Sequence, residues 1–96
     1  MALVKTTAGV ETATITSTGN AVASSARLYS IYAVCAGSAG SIVLKNGSGG
    51  STLATIATPG SATTTINVDF TDDGLDFPSA LHATLTNVTS VLFVYG

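Results

Sequence analysis

The sequence predicts an all-β fold, a single small antiparallel β-sandwich or jelly-roll-like barrel of about seven or eight short strands. Three observations carry that expectation. No window repeats its apolar residues at the helical period, and the dominant residues, Thr, Val, Ile, Ser and Gly, are poor helix formers. Apolar and polar side chains instead alternate over short stretches, the period of a strand with one covered face. Clusters of Gly, Asn, Asp and Pro interrupt those stretches at the spacing of a sandwich or small barrel.

Taken in order, residues 10–18 (VETATITST) combine high strand propensity with enough polarity for an edge. GNAVASSA follows as a loop or short strand. In residues 27–37 (RLYSIYAVCAG), strict alternation puts Leu28, Tyr32 and Val34 on one side and Tyr29, Ile31 and Cys35 on the other. Apolar side chains on both faces imply a strand covered twice. SIVLK (41–45) sets Ile42 and Leu44 against Val43, and the run Asn46 to Ser51 then supplies residues that accept positive φ. A hairpin into STLATIAT (51–58) is expected there, with Pro59-Gly60 as the next turn.

TTTINVDF (63–70) alternates most clearly, with Ile66, Val68 and Phe70 inward and Thr65, Asn67 and Asp69 outward. An Asp-rich turn leads to LDFP (75–78), and ALHATLTN (80–87) separates Leu81, Ala83 and Leu85 from His82, Thr84 and Thr86. VLFVYG (91–96) points Val91, Phe93 and Tyr95 one way and Leu92 and Val94 the other. Both of its faces need cover, so one set is expected in the core and the other against a second subunit. One domain spans residues 1–96, with residues 1–9 read as an extended N-terminal arm.

Charge narrows the function. Only 8% of residues are Asp, Glu, Lys or Arg, against about 25% in an ordinary globular domain. The outside must be finished with Ser, Thr, Gly, Asn and Ala, or be covered by another chain. Disorder does not fit, because 46% of residues are hydrophobic and the net charge is only −2. Lys5, Arg27 and Lys45 are the only fixed cations, too few to neutralise a run of phosphates, so nucleic acid is not an expected partner. The start lacks an apolar stretch behind a basic region, and no apolar run approaches the ~20 residues of a membrane span. Neither secretion nor a membrane is expected. Cys35 stands alone, which rules out an intrachain disulfide and reads as a small buried hydrophobe.

The residues that could carry chemistry each have a plainer reading. His82 is the only histidine, sits at an outward position of an alternating stretch and has no Gly-x-Ser-x-Gly elbow to serve, so it reads as a surface residue. Asp69, Asp72, Asp73 and Asp76 could offer oxygen ligands to Ca²⁺, but their spacing is not that of an EF-hand and Asp-Asp-Gly is what a tight turn asks for. Glycoside hydrolysis is rejected for want of sugar-stacking aromatics, Trp being absent. Gly47 to Gly50 precede a Thr-rich strand rather than a helix, so they form a loop and not a phosphate cradle. Tyr29, Tyr32 and Tyr95 fit an interface or the core equally well. No catalytic residue, metal ligand or cofactor is predicted. The interface candidates are Tyr29, Tyr32, Leu92, Phe93, Val94 and Tyr95.

RLYSIYAV (27–34), AGSIVLKNG (39–47) and LTNVTSVLFVYG (85–96), with Thr58-Pro59, Asp73-Gly74 and Phe77 in the same order, resemble small virion structural proteins of tailed bacteriophages, especially those of cyanobacteria and marine bacteria. The resemblance covers residues 27 onward. It implies a β module without catalytic residues that oligomerises, most simply as a homotrimer, and decorates or cements a shell of the phage major capsid protein. The expected location is then the virion, assembled in the host cytoplasm. A tail or fibre component, or a small glycan- or receptor-binding β module, is the alternative.

Overall fold

The structure is a computed structural model that describes residues 11–60, 64–70 and 73–96. It is a two-layer β-sandwich of nine strands: β1 (Glu11–Ile15), β2 (Gly19–Val22), β3 (Ala26–Cys35), β4 (Gly40–Asn46), β5 (Thr52–Thr58), β6 (Thr65–Asp69), β7 (Leu75–Phe77), β8 (Leu81–Thr86) and β9 (Val88–Tyr95). The residue stretches predicted from alternation all contain strands. The count exceeds the expected seven or eight because GNAVASSA contributes β2 and LDFP contributes β7. The proposed arm at residues 1–9 lies outside the described residues.

One sheet, A, runs β1-β9-β3-β6, with β7 also pairing to β3, and the other, B, runs β2-β8-β4-β5. Every pairing is antiparallel. Setting the three-residue β7 aside, the chain changes sheet at every connection except the β4–β5 hairpin. That strand order is a jelly roll, two Greek keys folded face to face. The extents, 37 × 34 × 20 Å, are as thin in one direction as two stacked sheets require.

The core fills the space between the sheets. Leu28, Ile31, Ala33, Phe77, Val91 and Phe93 enter from sheet A, and Ile42, Leu44, Leu81 and Ala83 enter from sheet B. Ile66, Val68 and Phe70 pack against this cluster while Thr65, Asn67 and Asp69 are exposed, as the alternation predicts.

One expectation fails in an informative way. Strict alternation groups Leu28 with Tyr32 and Val34, yet the buried residues of β3 are Ala26 and Leu28, then Ile31, Ala33 and Cys35. The parity changes at a β-bulge: Leu28 pairs with Tyr95 and Ser30 with Val94, so Tyr29 is one residue too many for β9. A single extra residue moves every later side chain to the opposite face. Tyr32 and Val34 therefore leave the face that Leu28 occupies.

Two turns show why their residues were chosen. In the β4–β5 hairpin Gly47 has φ 88° and its N–H donates to the Ala80 carbonyl at 3.0 Å. Asn46 Oδ1 accepts from the Ser79 N–H at 2.7 Å, which ties the same hairpin to the chain entering β8. Gly74 has φ 73°, and a Cβ there would stand 2.8 Å from Arg27 Cγ and 2.9 Å from the Leu28 carbonyl oxygen. Only glycine satisfies both the conformation and the space.

Candidate functional site

Strands β3 and β9 are the middle of sheet A, and their outward residues make its exposed face. Cross-strand register builds that face row by row. Thr14, Leu92, Tyr32 and Asn67 lie side by side across β1, β9, β3 and β6. The next row is Thr12, Val94, Ser30 and Asp69, and on the other side Ser90, Val34 and Thr65 form a third. Four of the six positions on the central strands are thus apolar, the other two being Ser30 and Ser90, and the margins carry hydroxyls, an amide and the Asp69 carboxylate.

Tyr32 is 44% exposed, one of two large hydrophobic residues that stand open among the described residues. Leu92, Val94 and Val34 around it are half-buried. Asp69, at the rim, is the only charged residue in these three rows. An exposed apolar group rimmed by polar residues is the usual mark of a contact surface.

The six interface candidates separate cleanly. Tyr32, Leu92 and Val94 belong to the outer face of sheet A. Phe93 is completely buried between the sheets and is corrected from a contact candidate to a core residue. The physical reason is its position in β9, directly opposite Ala13 and Ile31 on the inner face. Tyr95 follows the parity of Phe93 and is half-buried at the end of the core, where its hydroxyl donates to Glu11 Oε1 at 3.2 Å. Desolvation, and then the neighbouring Glu11 carboxylate, push the Tyr95 phenol above its ordinary value of 10.0. Tyr29 is the extra residue of the bulge, half-buried beside Gly74, and its carbonyl accepts from the Phe70 N–H at 2.9 Å. Val34 belongs to the outer face of sheet A as well, and alternation alone groups it with Leu28 because nothing in the sequence announces the bulge.

His82 also needs correction. It does sit on the outer side of β8, but only 8% of its surface is exposed. Strand β8 is interior to sheet B, so Asn20 on β2 and Lys45 on β4 flank the imidazole in register. Its Nδ1 makes no hydrogen bond among the described residues. No serine, cysteine or carboxylate stands in register beside it on β2 or β4.

The acidic stretch behaves as a turn held by one cation where it is described. Arg27 donates to the Asp73 carbonyl at 2.6 Å and pairs with Asp76 Oδ1 at 3.7 Å. Both side chains of that pair are well exposed, so it contributes little stability. Asp72 lies outside the described residues, among which no group of three His, Cys, Asp or Glu could hold a metal ion. Cys35 is buried with a free thiol. No helix long and apolar enough to cross a membrane occurs among the described residues.

No protein-family model, curated protein or solved structure matches this chain. The reading of its role therefore stands on its own residues.

Proposed function

We propose that this chain is a non-enzymatic structural protein of a tailed-phage particle, a homo-oligomer, most simply a trimer, that packs on the major capsid protein as a decoration or cement. The observation that carries the reading is the outer face of sheet A. Tyr32 and Leu92 stand opposite each other at its centre, with Val34 and Val94 beside them and no charge until the rim. A face of this kind loses nothing to like-charge repulsion when it meets another copy, whereas a solvated surface of a monomer would normally carry Lys and Glu there.

Two further features support the reading. A chain with 8% charged residues gains by covering surface with protein rather than leaving it to water. The jelly roll is an architecture used by viral capsid domains, though lectins and enzymes share it, so the fold adds compatibility and not proof. The order of strand and turn motifs from residue 27 onward adds the resemblance to phage proteins.

The test has two parts. Light scattering of the purified chain should report a particle about three times the 9.5 kDa subunit. Co-expression with the major capsid protein of the same genome should then place the chain in the sedimenting shells. A monodisperse 9.5 kDa particle that stays in the supernatant would sink the proposal.

A further inference from the structure

Each sheet ends in strands with an open edge, and such edges are normally blunted by a charge, a proline, a bulge or short length. In sheet A, β1 carries Glu11 and β6 carries Asp69. In sheet B, β2 has four residues and its pairing is broken between Asn20 and Val22. The remaining edge is β5, Thr52–Thr58, which pairs only with β4 among the described residues. Its seven residues, TLATIAT, include no charge, no proline and no glycine. Its one irregularity is a bulge near its start, where Leu44 pairs with Ala54 and Lys45 with Thr52 so that Leu53 has no partner on β4, and Ala54–Thr58 keep a regular register.

The pattern of β5 reads the same in both directions. Laid antiparallel against a copy of itself about a two-fold axis at Thr55, Leu53 falls opposite Ala57 and Ala54 opposite Ile56, while Thr55 meets Thr55; the match stops short of Thr52 and Thr58, which lie on opposite faces, one exposed and the other buried. Large meets small on both faces, and Thr meets Thr, a favourable cross-strand pair. Thr52, Leu53, Thr55 and Ala57 are exposed, and Leu53 at 37% is the second large hydrophobic residue left open among the described residues. Ala54 and Ile56 face the core, so the pairing would continue the inner face of sheet B from one subunit into the next.

We infer that β5 is a self-recognition edge: two copies of this chain join through antiparallel β5–β5 pairing centred on Thr55, making one continuous eight-stranded sheet from two B sheets. The contact is isologous, each patch meeting its own copy. It goes beyond the virion role and does not use the outer face of sheet A. A strand of seven residues is about 23 Å long. That is less than a standard stable interface provides, so the pairing is weak in dilute solution and strengthens where subunits are crowded or already linked.

Sedimentation of the full chain over a concentration series tests this. The mass should double between the dilute and concentrated ends. Thr55→Lys places two ammonium groups face to face across the axis, so it should keep the dilute mass throughout at low salt, with an unchanged circular dichroism spectrum. Cysteine substitution checks the register, since Cys35 is buried and the new thiol is the reactive one. Thr55→Cys should give a covalent dimer on mild oxidation. Ala57→Cys should not, because its two copies would lie about 13 Å apart along the strands, beyond the reach of a disulfide. A wild-type mass that never doubles, a Thr55→Lys chain that doubles like the wild type, or equal cross-linking at positions 55 and 57 would each overturn the inference. Leu92→Lys probes the sheet A contact separately, so loss of either contact leaves the other readable.

Discussion

The two outer faces of this sandwich are built on the same plan and finished differently. Sheet B presents Ser41, Val43 and Lys45 from β4, Thr84 and Thr86 from β8, and Thr55 and Ala57 from β5. Sheet A presents Tyr32, Val34, Leu92 and Val94 from its two central strands. Sheet B thus sets hydroxyls, a cation and the His82 imidazole around one valine, with Leu53 out at its β5 edge, whereas sheet A places four large apolar side chains next to one another. Both sheets bury their inner faces against the same core, so folding alone does not demand the difference. What separates the faces is how many large apolar side chains stand together, and the proposed contact uses the one that gathers four.

Substitutions along β3, β8 and β9 sharpen that contrast. The largest effect belongs to Phe93→Lys, which strands a charge in the core beside Ile31. The expected cost is about 5 kcal/mol or more, comparable to the whole stability of a small domain, and circular dichroism should show an unfolded chain. Leu92→Lys, one residue earlier, should keep the native spectrum and lose the assembly in light scattering. A folded Leu92→Lys chain of wild-type mass would remove the case for the outer face of sheet A. Tyr32→Ser should weaken the same contact by about 2 kcal/mol, roughly thirtyfold in affinity, as expected for a central aromatic anchor. On the other face, Thr86→Lys should change neither mass nor stability beyond about 0.5 kcal/mol. If Thr86→Lys dissociated the assembly and Leu92→Lys did not, the roles of the two faces would be exchanged.

The smallest effect is a pH dependence at the end of the core. The folded chain holds the Tyr95 proton more tightly than the unfolded chain, because the neutral phenol is favoured by burial and by Glu11. That contribution is complete below the ordinary value of 10.0 and is lost as the pH rises through the higher folded value. Urea midpoints for wild type and Tyr95→Phe should therefore draw together above pH 10, the wild type falling faster. Parallel curves would show that the hydroxyl contributes nothing there.

How much of this was legible beforehand depends on parity. The alternation in β6, Ile66 and Val68 against Thr65 and Asn67, could be read directly because β6 keeps one parity throughout. The same held for Leu92 and Val94 against Val91 and Phe93, although the sequence could not say which pair was inside. Strand β3 was illegible at one point only. The bulge at Tyr29 depends on β9 and β7 approaching the same strand, which is a tertiary fact with no local signature. The burial of His82 was missed for a similar reason: outward parity suggests exposure, but an interior strand gives every outward side chain neighbours on both sides. The outer face of sheet A was partly visible, through Tyr32, Leu92 and Val94. Val34 shares the parity of Tyr32, and only the departure of Leu28 from their face needed the bulge to be known.

The strand order also has a consequence for synthesis. Strand β9 lies between β1 and β3, so until residues 88–95 have been made, β1 has no partner in its sheet. Sheet B is nearly as late, because β8 separates β2 from β4. The β4–β5 hairpin alone can close early from adjacent sequence, and it then waits with both edges open. A nascent chain in that interval displays the uncharged β5 edge, and β4 as well, to any neighbour emerging from the same polysome. The topology thus makes premature strand pairing between sibling chains the characteristic hazard of producing this protein, and rapid completion of β8, which covers the β4 edge, its natural protection.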